Sequence, residues 1–150
     1  MQAAYGGNPT RLYLAQRINS ASSEELVAML LEGAQRFLLE AVKAIHAKDL
    51  RTKARHLQRV SEIMQKLLGM LNPEGDRTLV DKLHGIYIWW IKEMFEGSRH
   101  NRPEQIERVV RQMEAMRSGW TELAARQGRE GQGQSESRSA AQFSVEGLVV

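Results

Sequence analysis

The sequence predicts an all-α protein, an antiparallel up-down four-helix bundle, and three observations predict it. Apolar residues recur at three- and four-residue spacing in four successive stretches. Short runs of turn-forming residues separate those stretches, so neighbouring helices should reverse direction. No alternating strand pattern or hairpin turn competes with them. A chain of 150 residues with 42% hydrophobic content suffices for one core if most of it takes part. The expected organisation is a flexible N-terminal segment and cap over residues 1–20, the bundle over 21–126, and a flexible, disordered C-terminal tail over 127–150.

Each element has its own signals. The opening MQAAYGGNPT is small and polar and should be poorly ordered. In RLYLAQRIN, residues Tyr13, Leu14 and Ile18 suit one side of a short helix that must dock on the body to persist. The first bundle helix starts at a capping box, Ser22 with Glu25, worth about 1 kcal/mol. Its stripe is Leu26, Met29, Leu30, Gly33, Phe37, Leu38, Ala41, Ala44 and Ile45. Asp49 is a turn or cap residue before the second stripe, Ala54, Leu57, Val60, Met64, Leu67, Leu68 and Leu71, which ends at Asn72-Pro73-Glu74-Gly75. The third stripe is Leu79, Val80, Leu83, Tyr87, Trp90 and Met94, flanked by Ile88, Ile91 and Phe95, with Trp89 among polar neighbours. This helix is apolar on more than one face, which fits either two helical neighbours or a partner-binding groove. Gly97 and Ser98 close it, and Pro103 suits the first turn of the fourth helix, whose stripe is Ile106, Val109, Val110, Met113, Met116, Trp120 and Leu123. Beyond Gln127 the chain turns rich in Gly, Gln and Ser.

Chemistry is sparse. Without cysteine there are no disulfides, thiolate metal sites or Cys nucleophile, which is compatible with a reducing cytoplasm. There is no run of eighteen apolar residues and no secretory leader, so membrane insertion is not expected. Asp81-x-x-His84 is a lone pair, His46, His56 and His100 stand beside charged residues, and no Gly-rich phosphate loop occurs. These features point away from an enzyme, with no catalytic residue, no metal and no cofactor. A net charge of +3 with pI about 9.4 is a mild basic bias. Lys48, Arg51, Arg55 and Arg59 align on one helical face, but no aromatics interleave them, so they read as a solvated face and no nucleic acid is expected. The methionines at 29, 64, 70, 94, 113 and 116 fit core filling or adaptable recognition.

From Tyr13 to Ala124 the chain resembles the flagellar export chaperones for flagellin, the FliS family. The resemblance rests on Tyr13 and Ile18, then Ala21, Ser22, Leu26, Met29, Leu30, Gly33 and Ala34 with Arg36-Phe37 behind, then Tyr87, and finally Arg117 and Trp120. Departures are Leu31, where many members have Tyr, and Tyr87-Ile88-Trp89, where they tend to have Tyr-Asp-Tyr. The resemblance implies a cytoplasmic, non-enzymatic chaperone that binds the C-terminal segment of flagellin, prevents early polymerisation and delivers it to a flagellar export gate component. It implies that Tyr13, Leu14 and Ile18 form a displaceable cap and that Ile88, Trp89, Ile91 and Phe95 offer client contacts. Leu26, Leu30, Tyr87, Trp90 and Trp120 are expected mainly to hold the bundle. The alternatives are a scaffolding bundle that forms a homodimer through the third helix and a nucleic-acid binder acting through the basic face.

Overall fold

The computed structural model describes residues 9–133, and the regular elements among them are all α-helices. They are α1 (Pro9–Ser20), α2 (Ser23–His46), α3 (Leu50–Gly69), α4 (Arg77–Arg99) and α5 (Pro103–Gly133). The expectations for residues 1–8 and 134–150 lie outside the described residues.

Side-chain caps set most of the starts. Ser22 is extended at φ −69° and ψ 167°, its Oγ accepts the Glu25 N–H at 3.2 Å, and Glu25 Oε1 accepts the Ser22 N–H at 3.5 Å. The Asp49 carboxylate accepts the Thr52 N–H at 3.1 Å, and hydrogen bonds from Thr52 hold its pKa below the usual carboxylate value. Asp76, which the apolar periodicity does not single out, caps α4 by accepting the Leu79 N–H at 3.3 Å. Pro103 opens α5, where its missing N–H has no partner to lose.

The helix ends bring a correction. Gly97 and Ser98 do not close α4; both are buried inside it, and the helix runs on to Arg99. The chain reverses at Asn101, whose φ is +52°, with the Arg102 N–H donating to the Gly97 carbonyl at 2.7 Å. After α2 the reversal is at Lys48, φ +58°, with the Asp49 N–H donating to the Ala44 carbonyl at 2.9 Å. Both are left-handed caps that usually take glycine. Gly97 serves packing instead. A Cβ there would lie 3.0 Å from Ile106 Cγ1 and 3.2 Å from the Arg102 carbonyl oxygen, so its absence lets α4 and α5 approach. At its far end α5 continues to Gly133.

The core lies between four helices, α2 packing on α3 and α5, and α4 on the same two. Pairs between helices give the register. Phe37 of α2 meets His56 of α3 with ring centroids 5.9 Å apart, and Gly33 lies beside Ile63. Gln35 of α2 donates from Nε2 to the Val110 carbonyl at 3.4 Å, and Trp90 of α4 donates from Nε1 to Gln112 Oε1 at 2.8 Å. The α2 stripe is rotated from the one expected. Val27, Leu31, Ala34, Leu38 and Ala41 point into the core, whereas Leu26, Met29, Leu30, Gly33, Phe37 and Ile45 are half-buried shoulders. Two neighbours explain this: apolar residues occupy a wide arc of α2, and its middle faces the centre. In α3, Leu57, Val60, Met64 and Leu67 are buried as expected, but Ala54 is exposed; the adjacent Lys53 reaches across to α4.

Candidate functional site

α4 is held from one side and open on the other. Tyr87, Trp90 and Met94 are fully buried at helical spacing, with the Tyr87 and Trp90 rings 5.9 Å apart. Burial pushes the Tyr87 hydroxyl up to about 12, so it stays neutral. Burying side chains of this size stabilises by roughly 1.5–3 kcal/mol each. The anchoring decides which α4 residues remain outside.

Those outside are Ile88, 45% exposed, Trp89, 48%, and Phe95, 44%, with Ile86 at 37%. On a helix they form two edges. Ile88 and Phe95, seven positions apart, flank the side toward α3, where Lys53 Nζ donates to the Ser98 carbonyl at 3.1 Å. Ile86 and Trp89 flank the side toward α5, near the Trp90–Gln112 bond. Lys92 stands between the edges with Nζ 5.7 Å from the centre of the Trp89 ring. A shallow depression lined by Lys92, Phe95, Glu96, Ser98 and Arg99 continues the first edge. Of the expected client residues, Ile88, Trp89 and Phe95 are thus exposed on α4, and Ile91 is half-buried against the core. Ile86 is not flagged by the sequence because it lies near the core-facing side, where an apolar residue raises no question.

α1 buries no residue, and Leu12, Tyr13, Leu14 and Ile18 are all exposed. Three of these are consecutive and spread over more than half of the helix circumference, so no stripe forms. Arg17 of α1 lines the groove between α2 and α5, together with Met29, Glu32, Arg117 and Thr121.

The paired Arg117 and Trp120 act within the structure. Trp120 is buried, and Arg117 grips Glu114, Nε donating to Oε1 at 3.0 Å and Nη2 to Oε2 at 2.6 Å. Gln35 of α2 adds a third hydrogen bond, Nε2 to Glu114 Oε1 at 3.0 Å. Arg117 first and Gln35 second hold the Glu114 carboxyl down at about 2. The motif therefore positions a carboxylate that ties α5 to α2. Among the other family positions, Ala34 is buried and Ala21 and Gly33 are half-buried.

The methionines serve the core: Met64, Met94 and Met113 are buried, and Met29, Met70 and Met116 are half-buried. Arg55 donates to Thr52 Oγ1 at 3.3 Å and Arg59 lies 3.8 Å from Glu62, as on a solvated helix face. Among the described residues no group of three or more His, Cys, Asp and Glu is placed to hold a metal ion, and Asp81 sits 3.8 Å from Arg77.

The described residues are those of an all-helical protein with exposed apolar side chains on α4, a buried Trp120 and a half-buried Arg117. Residues 6–127 fit the model of the flagellar protein FliS, and the chain belongs to that family. It is similar to the flagellar secretion chaperone FliS of Campylobacter jejuni subsp. jejuni serotype O:6, with 24% identity over 111 residues, 74% of this chain and 87% of that protein.

Proposed function

We propose that the protein is a cytoplasmic flagellar secretion chaperone that binds the C-terminal segment of flagellin, prevents its early polymerisation and passes it to a flagellar export gate component. Family membership supports the class. The observation that carries the client reading is on α4, which buries Tyr87 and Trp90 yet leaves Ile88, Trp89 and Phe95 in water. A client helix laid along this face covers both apolar edges, and Ile91 contributes from beneath.

The scaffold for this is an antiparallel four-helix bundle of α2 to α5. Partner numbers that fall on one helix as they rise on the other support it: Gly33 with Ile63 and Phe37 with His56, or Trp90 with Gln112 and Gly97 with Ile106. In this reading residues 1–20 are the cap, 21–126 the bundle and 127–150 the tail. The exposure of Tyr13, Leu14 and Ile18 suits a cap that engages only in some states. Ordering of the client offsets about 2–5 kcal/mol of the contact energy, which leaves a complex that can be released.

Calorimetric titration with the C-terminal segment of flagellin from the same source tests this reading. Saturable binding with a negative heat-capacity change is expected, and absence of binding overturns it. The same α4 face also suits a homodimer. Sedimentation with excess flagellin segment separates the two, since a dimer that persists in the excess favours self-association.

A further inference from the structure

One end of the molecule concentrates its positive charge. The α2–α3 turn and the α4–α5 turn lie side by side there, tied by the Lys53 Nζ bond to the Ser98 carbonyl at 3.1 Å. Lys48, Arg51, Lys53, Arg55, Arg99 and Arg102 lie on and beside these turns, with the carboxylates of Asp49, Glu96 and Glu104 among them. These six cations against three carboxylates sum to +3, in a chain whose formal net charge is itself +3. Among the described residues no ion pair engages Lys48, Arg51, Arg99 or Arg102. Asp49, the acid in their midst, is committed to capping α3.

Leu50 stands within this cationic group, between Asp49 and Arg51, and is 68% exposed, the most of any large apolar side chain among the described residues. It is absent from the core and from the residues packed on it. The short turn before it and the helix that begins with it fix its place at this end.

We propose that this end docks on an anionic lipid bilayer, with Leu50 entering the headgroup region and the surrounding cations pairing with lipid phosphates. Each Lys or Arg near such a surface strengthens attachment about fivefold, and stable attachment needs a second, apolar contribution besides charge. Leu50 supplies that contribution. It also separates a bilayer from other polyanions: an aliphatic side chain gains by leaving water for acyl chains and gains nothing from a phosphodiester backbone. No helix among the described residues is long and apolar enough to cross a membrane, so the contact is a surface one.

The test uses the full chain, without client, on vesicles of equimolar phosphatidylglycerol and phosphatidylcholine and on vesicles of phosphatidylcholine alone. Co-sedimentation with the anionic vesicles only, weakening as salt rises, is expected. Arg51→Glu with Arg102→Glu should weaken it by about tenfold or more, and Leu50→Ser by about fivefold. The chain has no cysteine, so Leu50→Cys accepts a single environment-sensitive fluorophore, with Glu74→Cys on the α3–α4 turn as the control. A blue shift on anionic vesicles at position 50 but not at 74 supports the proposal. Failure of the native chain to sediment overturns it. So does binding that ignores Leu50→Ser while the probe at 50 stays in water, or an equal affinity for RNA that ignores Leu50; either marks a general polyanion contact.

Discussion

Gly97→Ala sets two effects of opposite sign against each other. Alanine is favoured over glycine inside a helix by about 1 kcal/mol, which alone would stabilise α4. The new Cβ, however, would lie 3.0 Å from Ile106 Cγ1 and 3.2 Å from both Gln105 Cβ and the Arg102 carbonyl oxygen. Ile106 is fully buried, so it has no open space to turn into. The Arg102 backbone is pinned by its own 2.7 Å hydrogen bond to the Gly97 carbonyl. Relief therefore requires the α4–α5 corner to open, and overpacking of this kind costs about 1–3 kcal/mol. The overpacking side is the larger, and a net loss of about 1 kcal/mol is expected. Gly85 and Gly119 provide the controls, because a Cβ at either meets nothing within 4 Å. Alanine at those two sites should stabilise by about 0.5–1 kcal/mol each. Urea unfolding followed by circular dichroism reads both as midpoint shifts at constant slope. A Gly97→Ala protein as stable as Gly85→Ala would refute the tight corner.

Lys48→Gly should raise stability by about 1 kcal/mol in the same urea assay, since it relieves a left-handed lysine at φ +58°; an unchanged midpoint would count against strain at that turn. Trp89→Ala should weaken binding of the flagellin segment by about thirtyfold in calorimetry with little change in melting, as for an exposed aromatic anchor. Trp90→Phe should do the reverse, costing about 1–2 kcal/mol of stability through the lost Gln112 bond and the space left behind. Equal melting losses for the two would remove the division between inner and outer tryptophan. Glu114 gives a pH dependence: its folded pKa of about 2 lies below the ordinary glutamate value of 4.5, so its stabilising effect is complete above that ordinary value and disappears as pH falls through about 2. Glu114→Gln should flatten the acid limb of a melting-against-pH curve over that window, and an unaltered limb would show that the Arg117 clamp contributes nothing.

Legibility in the sequence followed the kind of signal used. Ser22 with Glu25, Asp49 and Pro103 were readable, because each acts locally on adjacent backbone, whereas Asp76, next to a cluster of turn formers, was not. The left-handed ends were not, because Lys48 and Asn101 occupy positions where glycine is the usual marker, while the glycine that is present, Gly97, serves packing. Periodicity located the helices but not the rotation of α2. Leu30 and Leu31 are equally apolar, and only contact with both α3 and α5 decides that Leu31 is the one fully buried. For α4 the wheel worked because Asp81, Lys82 and Lys92 are exposed on the side of Trp89, so the opposite side had to be the core, although Glu93 is buried. The groove beside Arg117 was invisible, since it is assembled from residues far apart in sequence.

Trp89 and Trp90 bear directly on what α4 is for. They are neighbours of identical chemistry, yet one is 48% exposed and the other sealed in the core with its indole N–H satisfied by Gln112. Stability accounts for Trp90 alone. Trp89 is a poorer helix former than the alanine, glutamate or lysine that a solvated position would favour, and it leaves apolar surface in water. Its contact with Lys92, 5.7 Å from the ring centre, returns at most about 0.5–1 kcal/mol at so exposed a site. Ile88 and Phe95 repeat the imbalance on the other edge of the helix, so the unfavourable exposure is distributed around α4 and is not one accident of packing. A face that leaves apolar surface in water at three positions, forgoing the gain of burial, suits a second surface that covers it. The burial of Tyr87, Trp90 and Met94 directly behind supplies the rigid backing such a contact requires.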